Sequence, residues 1–327
     1  MHRSGGSVAP MALFFLQRLA ALVITLLVAS LVVFLVMEVL PGDPASIMLG
    51  MNARPDTLAA LREQMGLNEP AVTRYLIWIG GLVTGDLGTS VTYGVPVWEL
   101  VRDRIGLSLP LALFAIWLST ALAIPLGVLA AAKRGRAADA GVMGFTQLGV
   151  AVPNFWFAIL LILLFGVHWQ VLPAGGFAGW EEGVWPALQS LLLPAAALAL
   201  PQAAILARVT RSSVLETLGE DYVRTARAKG LTRSAALWRH AVRNALIPVV
   251  TIMGLQFSFL LAGTIIIENV FYLPGLGRLI FQAIAQHDLI VVKDLVILLA
   301  ATVIVVNFAV DLLYAVLDPR LRGGSAP

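Results

Sequence analysis

The residues able to do chemistry in this chain are few and widely spaced. Its four histidines, His2, His168, His240 and His287, fit no metal-ligand spacing. Cysteine is absent, which excludes disulfides, thiol nucleophiles and thiolate metal centres. None of the three lysines, Lys133, Lys229 and Lys293, follows a glycine, so the Gly-Lys-Ser/Thr that cradles nucleotide phosphates is missing. Gly80-Gly81 follows no strand and is no phosphate loop. Nor is there a His-Glu-x-x-His motif. The remaining candidates are Glu38, Glu268 and Asp311, the last with Asn307 one turn before it. Ionisable groups at membrane depth mark functional sites by default. These three stand near the ends of apolar stretches, where such groups reach water or headgroups, and Asp311 is expected to pair with a basic residue of an inner loop.

The apolar stretches define the elements that must position any site. Hydrophobic residues make up 59% of the chain and charged residues 13%, against roughly 25% charged in a soluble domain. Lipid must therefore be the solvent for much of the chain, and the expected class is an all-α polytopic membrane protein. A spanning helix needs about 20 mostly apolar residues. Intervals free of Asp, Glu, Lys and Arg predict spans over 19–37, 105–132, 142–166, 183–207, 244–267 and 290–316, the fourth entered near Pro194. Prolines 110, 125, 153, 194 and 201 fall in or beside them as kink sites. Pro173-Ala174-Gly175-Gly176 marks a loop. The apolar run Tyr75–Val83 is too short to span and is expected to form an interfacial or packed helix. The first stretch exceeds the usual 7–15-residue signal core and lacks a clear cleavage signature, so an uncleaved anchor is expected.

Lysine and arginine fix the orientation. With both termini inside, 15 of the 22 basic residues face the cytoplasm, eight of them between Arg208 and Arg243. Two segments are too long for simple connectors: the outer segment 38–104 and the inner segment 208–243. The inner one reads as a helix–turn–helix with stretches 220–229 and 233–245. Gly230 is its C-cap glycine, and Ser212 and Ser213, or Thr232, are its candidate N-caps. A basic interfacial helix that binds anionic headgroups is one reading of it. A docking element for a cytoplasmic protein is the other. Docking would explain the length, the small residues Ala226, Ala228 and Gly230 that permit close approach, and Pro248, expected to send the chain sharply back into the membrane.

Here the chain resembles a known family. Asp221-Tyr222-Val223-Arg224-Thr225-Ala226-Arg227-Ala228-Lys229-Gly230, then Arg239-His240-Ala241-Val242-Arg243-Asn244-Ala245-Leu246-Ile247-Pro248, is similar to the cytoplasmic "EAA" loop of ABC-importer permeases of the dipeptide/oligopeptide/nickel type. The family's glutamate is absent: Arg224-Thr225-Ala226 precedes Gly230, as is usual in the peptide-type subfamily. Leu40-Pro41-Gly42-Asp43-Pro44, Pro153-Asn154-Phe155-Trp156, Glu268-Asn269-Val270-Phe271 with Pro274-Gly275-Leu276-Gly277, and Asp318-Pro319-Arg320 resemble further family signatures, in order along almost the whole chain. The long outer segment looks like that of the first permease of the pair.

The resemblance implies a type I ABC-importer permease fold with an N-terminal region 1–104 (span about 19–38 plus outer segment). A five-span core 105–318 with the coupling loop 208–245 and a tail 319–327 would follow. It implies a multi-pass protein of the bacterial inner membrane that is half of a translocation pathway and not an enzyme. The implied partners are a second homologous permease, two cytoplasmic ATPase subunits and an extracytoplasmic substrate-binding protein. ATP and Mg would be bound by the ATPases and no cofactor by this chain. The implied coupling residues are Glu220, Asp221, Tyr222, Arg224, Thr225, Ala226, Lys229, Gly230, Arg239, His240, Asn244 and Pro248. Peptide is the expected cargo, with nickel, glutathione and oligosaccharide as alternatives. An ion-coupled secondary transporter would want ionisable groups at span centres and inverted repeats, neither of which is seen. An intramembrane enzyme would need a catalytic pair or zinc motif at membrane depth, which is likewise missing.

Overall fold

A computed structural model describes residues 8–39, 44–49, 54–64 and 66–317. Twelve helices run through them: α1 (Val8–Val39), α2 (Pro44–Leu49), α3 (Pro55–Gln64), α4 (Ala71–Thr84), α5 (Val97–Ala132), α6 (Ala137–Ala151), α7 (Asn154–His168), α8 (Val184–Gly219), α9 (Asp221–Ala228), α10 (Arg233–Val270), α11 (Leu276–Ala285) and α12 (Leu289–Leu317). Among the described residues the only β pairing is one isolated bridge, Thr89 with Pro96. The motifs Leu40–Asp43 and Asp318–Arg320 lie outside the described residues.

Helices α1, α5, α8, α10 and α12 each contain a stretch long and apolar enough to cross a membrane. The third expected span, 142–166, is built differently. Helices α6 and α7 meet at 103°, so there are six spans only if this bent pair counts as one. Pro153 is the cause. It disfavours helical geometry at the residue before it, and Val152 is accordingly extended (φ −86°, ψ 124°). The chain restarts as a helix at Asn154, where Pro153 stands as N-cap.

Two further expectations are corrected. Helix α8 does not enter near Pro194 or end at 207. It runs unbroken from Val184 to Gly219 with Pro194 and Pro201 inside it, so Ser212 and Ser213 are mid-helix and cap nothing. Pro248 does not turn the chain either. It lies within α10, which is continuous from Arg233 and contains a π-helical stretch at Leu237–Val242. The reversal occurs earlier, at Gly230–Thr232.

The chain divides into two compact units. The first comprises Ser108–Leu273 with the chain ends. Its centre is α8, which buries Ala195, Ala197, Ala199, Ala203, Ala204 and Ala207 together with Leu191, Leu198 and Leu206. Helices α6, α7 and α10 pack on it. Lipid tails are as apolar as leucine, so packing here depends on close approach between small residues. A Cβ added at Gly149 would lie 3.0 Å from the Ala204 Cβ, and one at Gly127 would lie 2.6 Å from the Ala207 carbonyl oxygen. Glu268, expected to reach water, is instead wholly buried and accepts a hydrogen bond from Ser108 Oγ at 2.5 Å. The reason is that α10 continues past it to Val270, and the Leu273 amide folds back onto the Glu268 carbonyl at 2.8 Å.

The second unit comprises Leu16–Leu107 and Pro274–Val305. The short apolar run Tyr75–Val83 is packed as α4, with Trp78 buried against Phe34 and Ile297. Trp78 Nε1 donates to Asp294 Oδ1 at 2.7 Å, and Ser90 Oγ donates to Asp288 Oδ2 at 2.6 Å. Glu38 meets protein as well: it pairs with Arg74.

Close approach at Gly127 gives a direct test. Gly127→Leu should destabilise the fold by about 1–3 kcal/mol through overpacking. Gly141→Leu, where an added Cβ meets nothing within 4 Å, should leave the thermal midpoint of the detergent-solubilised chain unchanged. Equal midpoints for the two variants would refute the packing account.

Candidate coupling loop

The loop between α8 and α10 is short once both helices are given their full length. Glu220 is the pivot. Its extended backbone (φ −67°, ψ 145°) ends α8 and begins α9. Asp221 in the first turn and Arg227 in the last complement the helix dipole. The Arg224–Asp221 contact of 3.4 Å is solvent-exposed at both ends and adds little stability.

The end of α9 is more tightly specified. Leu231 N–H donates to the Ala226 carbonyl at 3.2 Å and Gly230 N–H to the Arg227 carbonyl at 3.0 Å. That pair of bonds is the Schellman arrangement, with Gly230 as the left-handed residue at φ +98°. A Cβ at Gly230 would meet none of the described residues within 4 Å, so glycine is required here by its backbone angle and not by crowding among them. Thr232 then caps α10, its Oγ1 accepting from the Ala235 amide at 3.2 Å.

Two contacts hold α9 to its base. Val223 is its one buried residue. Asn244 Nδ2 donates to Tyr222 Oη at 2.7 Å, joining α9 to the first half of α10. Val128, Val214, Leu237, Ala241, Val242 and Ala245 form a buried cluster from α5, α8 and α10, the two helices that flank α9 among them. Arg211 of α8 makes two bonds to Asp139 of α6, at 2.6 and 2.8 Å, and Asp139 also accepts from the Gly135 amide at 2.9 Å.

Of the residues singled out in the sequence, Glu220, Asp221, Tyr222, Arg224, Thr225, Lys229 and Gly230 are exposed on and around α9, and Ala226 is half-buried. Arg239 is exposed and His240 half-buried on the π-helical stretch. Tyr222 and Asn244 are brought together. Pro248 stands apart from α9, further along α10. Sequence reasoning missed the Val223 anchor, the Tyr222–Asn244 bond and the Asp139–Arg211 pair. Only Val223 carried a signal, as the lone large aliphatic residue in Asp221–Ala228. Among the described residues no group of three His, Asp or Glu could hold a metal ion. The site is a short polar helix, exposed on one side and fixed on the other.

Helical spans joined by such a loop define a polytopic membrane protein. Comparison with known proteins gives the family. Residues 123–323 match the family of binding-protein-dependent transport system inner membrane components, and residues 11–112 match that family's N-terminal region. The chain is 41% identical over 312 residues to a putative peptide transport system permease protein of Brucella abortus, covering 95% of this chain and 99% of that one. It is also 41% identical over 333 residues to the dipeptide transport system permease protein DppB of Escherichia coli, covering 94% and 98%. The structure is similar to that of the MetNI methionine ABC transporter in an inward-facing conformation, with TM-score 0.56 at 18% identity, over 68% of this chain and 97% of that one. That similarity concerns the fold. The chain belongs to the binding-protein-dependent transport system inner membrane components and is a multi-pass inner-membrane permease of an ABC importer.

The cap geometry predicts local stability. Thr232→Ala should cost the start of α10 about 1 kcal/mol. Amide exchange at Ala235 and Ala236 should then quicken by roughly fivefold, with α8 unchanged. Unaltered exchange in that turn would show that the cap contributes nothing.

Proposed function

We propose that this chain forms half of a translocation pathway for di- and oligopeptides, delivered from outside by an extracytoplasmic binding protein. A second homologous permease supplies the other half. Two separate cytoplasmic ATPase subunits bind ATP and Mg and grip α9, and this chain catalyses nothing itself. The observation that carries the reading is the construction of α9: a polar, exposed helix set on an apolar base through Val223 and through Asn244 to Tyr222. Closure of the ATPases would push on α9. The base would pass that displacement into α8 and α10, since a close-packed interior shifts between discrete arrangements and does not deform smoothly. ATP then drives the cycle by favouring the state in which the ATPases touch. Peptide as cargo rests on the peptide and dipeptide permeases to which the chain is similar.

Gly230 tests the coupling. Replacing it with valine forces a β-branched residue toward φ +98°, a strain of about 1–3 kcal/mol local to the loop. In vesicles holding the complete transporter, Gly230→Val should leave membrane insertion intact, let ATP hydrolysis continue, and reduce peptide uptake per ATP by more than about tenfold. Normal uptake per ATP would sink the proposal. The cargo is tested separately, by calorimetry on the partner binding protein with dipeptides, longer peptides and nickel.

A further inference from the structure

In the unit of Leu16–Leu107 and Pro274–Val305, six charged side chains surround one open cavity of about 370 Å³. They are Glu38, Glu69, Arg74, Asp86, Lys293 and Asp294, and Phe34 and Trp78 supply part of the apolar wall. The size is that of a small-ligand pocket. The lysine and arginine distribution places it on the outer side, between the end of α1 and the start of α12.

Most of these charges are engaged. Glu38 and Arg74 pair with each other. Asp86 Oδ1 accepts from the Gly88 amide at 3.0 Å. Lys293 Nζ sits 4.7 Å from the centre of the Trp78 ring, a cation–π contact. Trp78 Nε1 donates to Asp294 Oδ1 at 2.7 Å. Two atoms are left over. Among the described residues, the second carboxylate oxygen of Asp294, a residue only 1% exposed, has no hydrogen-bond partner, and neither does the buried Nε–H of Arg74. Lys293 is close enough to attract Asp294, but its Nζ lies over the Trp78 ring and gives Asp294 Oδ2 no hydrogen bond.

One orphan is a pure acceptor and the other a pure donor, and both belong to residues lining the same cavity. Leaving both dry is costly. The geometry points to a binding site for a small zwitterion, with Asp294 taking a primary ammonium and Arg74 the acid group. Four carboxylates against two cations leave the cavity negative, which selects against a simple anion. The aromatic wall suits the short methylene linker between the two charged ends. Two sources carry this chemistry: the headgroup of phosphatidylethanolamine from the outer leaflet, and a free amino acid or short peptide. A choline headgroup does not fit, because its quaternary ammonium has no N–H to give Asp294.

The test uses the full-length chain. Native mass spectrometry would compare retention of phosphatidylethanolamine, phosphatidylcholine and phosphatidylglycerol, and calorimetry in phosphatidylcholine nanodiscs would measure dialanine binding. One of the two zwitterionic amines should be favoured over both other lipids, and Asp294→Asn should weaken its binding about tenfold. Lys293→Met, which removes the competing cation and leaves the carboxylate, should bind it at least as tightly as the wild type. Selective retention of phosphatidylethanolamine alone identifies a lipid site, and dialanine binding alone a site for the free zwitterion. A wild-type chain that favours neither amine overturns the inference. So does an Asp294→Asn chain that binds normally, or a Lys293→Met chain that loses binding as fully as Asp294→Asn, since the ligand would then be held through Lys293 and not by Asp294 and Arg74. Should Asp294→Asn fail to assemble, wild-type selectivity and Lys293→Met decide the matter.

Discussion

Hydrocarbon neither hydrogen-bonds a backbone nor squeezes apolar side chains together, and the unit built around α8 depends on what replaces those two services. Helical geometry satisfies the backbone. Close approach supplies the packing. That is why α8 buries alanine after alanine and why its neighbours present glycines to it, Gly149 to Ala204 and Gly127 to the Ala207 carbonyl. Larger side chains at these contacts would hold the helices apart and lose dispersion contacts along their length. A base assembled this way is stiff at these contacts, where no room is left for an added methyl group.

Stiffness gives α9 its significance. An eight-residue helix is far too short to be stable alone in water. It persists because both ends are fixed by local chemistry, the Glu220 pivot before it and the Schellman turn at Gly230 after it, and because Val223 and the Tyr222–Asn244 bond hold one side down. On the proposed function, a displacement applied to its exposed side would be shared by α8 and α10. The Asp139–Arg211 bonds tie α8 in turn to α6. An isolated basic helix resting on headgroups would need none of these ties.

How much of this was legible in the sequence follows from the range of each interaction. Five of the six apolar stretches, the Gly230 turn and the Thr232 cap are set by residues within a few positions of one another, and they appear where the sequence places them. Proline was ambiguous. Pro153 breaks its helix, while Pro194, Pro201 and Pro248 sit inside theirs, because neighbouring helices and local adjustments re-satisfy the freed backbone groups. No local rule tells these cases apart. Asn244 with Tyr222 and Arg211 with Asp139 pair residues 22 and 72 positions apart, and the partner is known only when the fold is.

The acidic residues carry the same lesson further. From sequence, Glu38 and Glu268 are acids near span ends, free to reach water. In the structure each meets protein: Glu38 meets Arg74, and Glu268 is buried against Ser108. The difference is one of length. Helix α10 runs beyond the charge-free interval that announced it, so Glu268 falls short of the helix end and inside the packed unit. A carboxylate in such a place is kept only if its oxygens are engaged, since removing a charge from water costs several kcal/mol. That condition is also what sets Asp294 apart. Trp78 engages one of its oxygens, and among the described residues no hydrogen-bond donor engages the other. A buried acid satisfied on one side only is a poor structural element, and its cost is explained if the second partner arrives from outside the chain.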